Sequence, residues 1–372
     1  MLAIAMPWMC MPLLFNEIIS DLNLTIVQLG IIWGMGPLAI AISALPAGLL
    51  GDRIGVPRTT IIACGLAAVA GALRGTSNNF VTLAAFMFLF GFAFAMVISN
   101  LSKVSLIFPK SQLGIANGIL GSGTATGFAV GVSITGSALS LLRGWREVLF
   151  LYAGISGIFA IIWFLLVRGR LLSNSRDSSN GTASFSQSLS TVIHIKRIWL
   201  CSLGFFGQAG CFMGVIHYLP LYLQDKVGEV TAGGVISTIM WAGVIGNVLL
   251  PYISDRIGST RVVYILSALI TCIFSYLLSV ATGLTLWVVA IIGGLAVQGA
   301  IPVLFTALLE TKELKPLYAA TALGAFATIA YFGSFLSPII GDVLVSIEPS
   351  RAFIFWACLP IIPMILFARF SW

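Results

Sequence analysis

Few side chains in this chain of 372 residues could do chemistry, and their types suit hydrogen bonding and proton exchange better than bond making. His217, in "IHYLPLY", is the one group within an apolar run that titrates near neutral pH when unperturbed. It can serve as a hydrogen-bonded interfacial residue or as a proton carrier. Glu17 and Asp342 stand at the ends of apolar runs, where they are expected to be solvated or capping, and they complete the set of proton-coupling candidates. Trp8, Thr124, Thr126, Gln208, Trp241, Gln298, Thr328 and Tyr331 fall near the middle of apolar runs and offer uncharged donors and acceptors. They are the substrate-binding candidates. An amide in hydrocarbon is costly unless partnered, so Gln208 and Gln298 are expected to face a cavity, face each other, or tie helices together. The six cysteines (Cys10, Cys64, Cys201, Cys211, Cys272 and Cys358) lie in apolar runs without metal-ligand spacing and read as small buried hydrophobes. No catalytic residue, metal or cofactor is expected. His194 lies outside the apolar runs and is uninformative.

Those groups need elements to hold them, and composition names the kind. Apolar residues make up 59% of the chain and charged residues 8%, against roughly 25% charged in soluble domains. This defines a polytopic membrane protein. Its net charge of +7 comes from single basic residues between apolar runs, which suits orientation in a bilayer and not nucleic-acid binding. A helix crossing the hydrocarbon needs about 20 apolar residues. Runs of that kind fall at 1–16, 27–50, 59–75, 80–103, 114–141 and 146–167, then at 198–222, 232–253, 262–282, 285–309, 317–344 and 351–371. The domains are therefore 1–167, a Ser-rich linker at 168–197, and 198–372. The first run is short for a span, so the first helix is expected to be truncated, without its leading turns. Alternating the loops places fourteen Lys and Arg on the linker side, Lys103 among them, and five on the far side: Arg74, Arg143, Arg146, Lys226 and Arg351. That bias puts both termini and the linker in the cytoplasm, in a multi-pass protein of the cell membrane.

A charged turn is built twice in this sparsely charged chain, as "GDRIGVPR" at 51–58 and "SDRIGSTR" at 254–261. At one offset of 203 residues Gly30 meets Gly233, Asp52 meets Asp255, Arg53 meets Arg256, Ile54 meets Ile257, Gly55 meets Gly258 and Arg58 meets Arg261. Each turn follows the second helix of its half. The fold class is therefore an all-α integral membrane protein of twelve transmembrane helices in two parallel six-helix repeats.

Gly48-x-x-x-Asp52-Arg53-x-Gly55-x-x-Arg58, together with "FPKSQLGIANGI" at 108–119 and "GWREVLF" at 144–150, resembles the major facilitator superfamily over essentially the whole chain. Val56 and Pro57 depart from its more basic loop, and Pro251 replaces the leading Gly in the second copy. The resemblance implies a transporter that works by alternating access around a midplane site. It implies that Asp52 faces a helix start near Pro316 and Leu317, and that Asp255 faces the start of helix 5 near Ser111 and Gly114. A helix N-terminus carries about half a positive charge, so an Asp there is stabilising. Gly48, Asp52, Arg53, Gly55, Arg58, Asp255, Arg256, Gly258 and Arg261 would then form a conformational latch.

No Asp, Glu, Lys or Arg is expected near the middle of any helix. Nitrate and organic-phosphate carriers of this family resemble one another in using membrane-embedded arginines, so those solutes rank low. Drug/proton antiporters typically carry an Arg where Met87 stands and a Pro where Val132 stands, which weakens that alternative. Gly118, Gly121, Gly123, Gly127, Gly131 and Gly136 on helix 5 read as a packing surface. The resulting expectation is a monomeric secondary active or facilitative transporter of an uncharged or weakly charged small organic solute. The alternatives are a receptor with a transporter-like fold, or a membrane-embedded enzyme.

Overall fold

The computed structural model describes residues 1–98, 113–173, 190–311, 313, 314 and 319–369. Among these residues twelve helical spans are long and apolar enough to cross a membrane. In chain order they are α1 Leu2–Leu22, α2 Ile26–Ala47, α3 Ile54–Gly75, α4 Phe80–Ile98, α5 Gly114–Leu142 and α6 Trp145–Arg168, followed by α7 Lys196–Val227, α8 Glu229–Ile257, α9 Thr260–Leu278, α10 Gly283–Leu309, α11 Thr321–Val345 and α12 Pro349–Arg369. The count and the six-plus-six arrangement agree with the sequence. The first span does not stop at 16. It continues to Leu22 because Phe15 and Ile18 bury one face of its last turns, although the other residues there are polar.

Local rules place the ends. Thr25 caps α2, its Oγ1 accepting from the Gln28 N–H while the Gln28 side chain returns to the Thr25 N–H. Asn79 accepts from the Thr82 N–H at α4, and Ser259 from the Val262 N–H at α9. Two prolines interrupt α1: Pro7 sits inside Leu2–Met9, and Pro12 opens a 3₁₀ turn over Met11–Leu14 before the helix resumes. The two repeated turns share one backbone requirement. Gly55 has φ 80° and Gly258 φ 71°, the left-handed region that residues with a Cβ rarely adopt. That is the physical reason both copies end Asp-Arg-Ile in Gly.

The spans α1, α7 and α10 are the most buried and α3 and α6 the least, so the former are central and the latter peripheral. Ile158, Ile161 and Leu166 on α6 point outward, as lipid-facing residues do. α5 divides its glycines between two neighbours. A Cβ at Gly118 would lie 2.7 Å from the Asn247 carbonyl oxygen of α8, and one at Gly131 would lie 2.6 Å from the Met6 carbonyl oxygen of α1. Gly123 and Gly136 face open space and are not part of that packing.

Candidate functional site

A cavity opens where α1, α2, α4 and α5 meet α7, α8, α10 and α11. Gly121, Thr124, Ala125 and Phe128 of α5 line it, a spacing that keeps one helix face inward. Four of the eight expected residues stand there: Trp8, Thr124, Gln298 and Tyr331. Gln298 lies against Gly243 of α8, where a Cβ would come within 2.1 Å of its Nε2.

The other four do not line the cavity. Thr126 falls on a different face of α5 from Thr124. Gln208 is buried, but donates to Thr271 Oγ1 at 2.7 Å and to the Val297 carbonyl at 3.3 Å, so it ties α7 to α9 and α10. Trp241 is 45% exposed and donates from Nε1 to Ser133 Oγ at 3.1 Å, across the seam between α8 and α5. Thr328 satisfies itself on the Gly324 carbonyl at 3.1 Å. Depth along a helix was legible, but the azimuth was not.

Sequence reasoning missed Asn117, Asn247 and Ser334, which line the cavity and are buried. Asn117 donates to Thr306 Oγ1 at 3.2 Å and leaves its Oδ1 without a partner. Trp8 Nε1 and Ser334 Oγ are likewise buried and unpartnered. Buried polar atoms are nearly always satisfied, and these three, on residues that line one cavity, have no partner among the described residues. Phe94, Phe128, Phe205, Phe212 and Phe305 supply the apolar wall. No charged side chain is among the described lining residues.

His217 and Asp342 are both fully buried, with Nε2 and Oδ2 2.8 Å apart. This corrects the expectation that Asp342 is solvated or capping: α7 runs past it, so the carboxylate is enclosed rather than at a free helix end. Gly30 of α2 lies directly over it, a Cβ there falling 2.2 Å from Oδ2, and Phe15 of α1 meets the His217 ring edge-on at 5.1 Å. Glu17 is only partly buried and lines a separate far-side crevice with Asn16, Gln224 and Glu229.

Arg74 also departs from expectation. Read as a far-side orientation charge, it is fully buried, and its Nη2 donates to the Pro7 carbonyl at 2.8 Å beside the break in α1. The chain is therefore not free of interior cations.

Of the latch residues, the surroundings of Gly48 and the side chains of Asp52 and Arg53 lie outside what the structure describes, and Lys103, Ser111, Pro316 and Leu317 lie outside the described residues. Arg58 and Arg256 are exposed, and Arg261 donates from Nη2 to the Ala368 carbonyl. Asp255 sits on the start of α5: its oxygens lie 2.2 and 2.5 Å from where a Gly114 Cβ would be, and it accepts from the Ile115 backbone N–H.

Twelve spans in two sixes, enclosing a cavity with walls from both, define a multi-pass membrane protein built of two six-helix halves. The family model of the Major Facilitator Superfamily matches residues 1–338, and the chain belongs to that family. It is 26% identical over 268 residues to the hexuronate transporter of Bacillus subtilis (strain 168), covering 69% of this chain and 63% of that one. It is 26% identical over 276 residues to the probable nitrate/nitrite antiporter NarK1 of Thermus thermophilus, covering 69% and 59%. The match to the cis,cis-muconate transport protein of Acinetobacter baylyi is 24% over 344 residues, 87% and 80% of the two chains. The chain thus spans about six tenths of the length of the first two relatives. Among solved structures, the fucose:proton symporter FucP of E. coli superposes with a TM-score of 0.70 at 17% identity, covering 99% and 96% of the chains. The human organic anion transporter MFSD10 gives 0.69 at 13%, covering 98% and 97%. Both likenesses concern the fold alone.

Proposed function

We propose that the protein is a secondary transporter, not an enzyme, and carries one small organic solute by alternating access between its six-helix halves. One observation carries the reading: a cavity walled by both halves, with unpartnered polar atoms at Trp8, Asn117 and Ser334. The cavity lining suits an uncharged or singly charged solute. The relatives named for hexuronate and cis,cis-muconate support trying organic acids first. On this reading Trp8, Thr124, Gln298 and Tyr331 bind solute with Asn117, Asn247 and Ser334.

The His217–Asp342 pair is the proposed coupling group, because a buried ionisable pair beneath a seam between the halves gains water only when that seam parts. Asp255 on the start of α5 is the corresponding latch at the linker side, with Asp52 as its counterpart. On the Lys/Arg bias the linker side is proposed to face the cytoplasm, and we take the protein to be a monomer in the plasma membrane.

The test is uptake by purified protein in proteoliposomes, with and without an imposed pH gradient, over a panel of sugars, sugar acids, dicarboxylates and amino acids. Saturable uptake of one class supports the reading. Saturable binding of a solute that never enters the vesicles would instead establish a receptor.

A further inference from the structure

Among the described residues, the groups that hold the interior cation Arg74 are neutral. Its Nη2 takes the Pro7 carbonyl, its Nη1 lies 3.5 Å from Met87 Sδ, and its guanidinium carbon lies 4.1 Å over the Phe90 ring. Its Nε has no partner, and among the described residues no carboxylate comes within ion-pair distance. Guanidinium does not give up its proton in proteins, so the charge persists. A lone buried charge is expensive, and intramembrane cations mark function more often than packing.

What lies in front of the charge gives it a use. The Phe90 ring is 5.9 Å from the Trp8 ring, and Trp8 lines the cavity with its indole N–H unpartnered. Cation, ring, ring and cavity therefore follow one another. With the 4.1 and 5.9 Å steps laid end to end, the charge is no more than 10 Å from the Trp8 ring. A carboxylate on the Trp8 Nε1–H lies a further ~3–5 Å out, and at roughly 13–15 Å with an effective dielectric near 20 a cation favours a bound monoanion over its neutral analogue by roughly five- to tenfold. It disfavours a monocation by a similar factor.

We infer that Arg74 is a specificity-determining residue that makes this cavity select small organic acids, whose carboxylate accepts the Trp8 Nε1–H. The inference rests on the transporter reading only in that the solute occupies this cavity. It names a substrate class and a residue that never touches the solute. A purely structural Arg74, pinning the break in α1, would not discriminate by charge.

The experiment measures dissociation constants by ligand-induced thermal shift on the purified full chain, with matched probes: galacturonate against galactose, benzoate against benzamide, and nicotinate against nicotinamide. Wild type is expected to bind at least one acid about fivefold or more tighter than its neutral match. Arg74→Gln should bring that ratio close to one, whereas Arg74→Lys should keep most of it. Because Arg74→Gln can fail to fold, Met87→Glu supplies a second route: a carboxylate beside Nη1 neutralises the charge with Arg74 still in place. It should erase the acid preference while Met87→Gln keeps it. Neutral probes binding as tightly as the acids, no binding by any acid, or an acid preference unchanged in Arg74→Gln and Met87→Glu would overturn the inference. Acids that bind with this charge dependence but are never taken up into vesicles would sink the transport reading and leave this one standing.

Discussion

His217 Nε2 and Asp342 Oδ2 stand 2.8 Å apart with neither side chain exposed, and the backbone of Gly30, from the other half of the molecule, covers the carboxylate. Each partner keeps one unsatisfied polar atom, His217 Nδ1 and Asp342 Oδ1. A pair in that state gains hydration as soon as α2 and α11 part. Asp342→Asn keeps the size of the side chain and removes its proton affinity. The expected result is loss of uptake driven by a pH gradient with solute counterflow retained, measured in proteoliposomes. Loss of both together would mean that the pair holds the fold and does not couple.

Gly30 tests the same seam mechanically. A side chain there must displace Asp342, since its Cβ would fall 2.2 Å from Oδ2. Gly30→Leu should wedge α2 from α11 and bias the protein toward opening at the far side. Spin labels at Asn23 and Ile347, in the loops after α1 and α11, should report longer distances than in wild type. An unchanged distance distribution would show that the seam repacks instead.

At the linker side, Asp255 takes the Ile115 N–H at the start of α5. Asp255→Asn should cost on the order of 0.5–1 kcal/mol of closure there. Labels across the linker-side mouth should then show more of the open state, and Asp52→Asn should act in the same direction. Gly258→Ala should lower the melting temperature, because holding Ala at φ 71° costs about 1 kcal/mol.

The two buried glutamines should part company. Gln298 faces the cavity, so Gln298→Ala should weaken solute binding by about tenfold, the worth of one hydrogen bond of about 1–1.5 kcal/mol. Gln208 satisfies Thr271 and the Val297 carbonyl within one half, so Gln208→Ala should lower thermal stability and leave affinity close to wild type. Isothermal titration and a melting scan on both variants check this together. Equal losses of affinity would place Gln208 in the solute path.

The sequence alone determined the class, the twelve spans and the duplicated turn. Each of these depends on a local quantity: apolar length against bilayer thickness, the scarcity of charge, and a glycine where the backbone needs positive φ. It also named His217, Asp342, Trp8, Thr124, Gln298 and Tyr331, because polar groups in apolar runs are conspicuous. Only the tertiary structure decided which of those residues meet. A helix residue's neighbours depend on the rotation, tilt and length of helices distant in the chain, and hydropathy carries no record of these. Asp342 looked like a solvated helix end until α7 was seen to run past it. Arg74 looked like a boundary charge until its side chain was seen to turn inward to the break in α1. Gln208 and Thr126 were at suitable depth but on the wrong faces. Asn117 and Asn247 drew no notice until packing against the other half set them around one cavity.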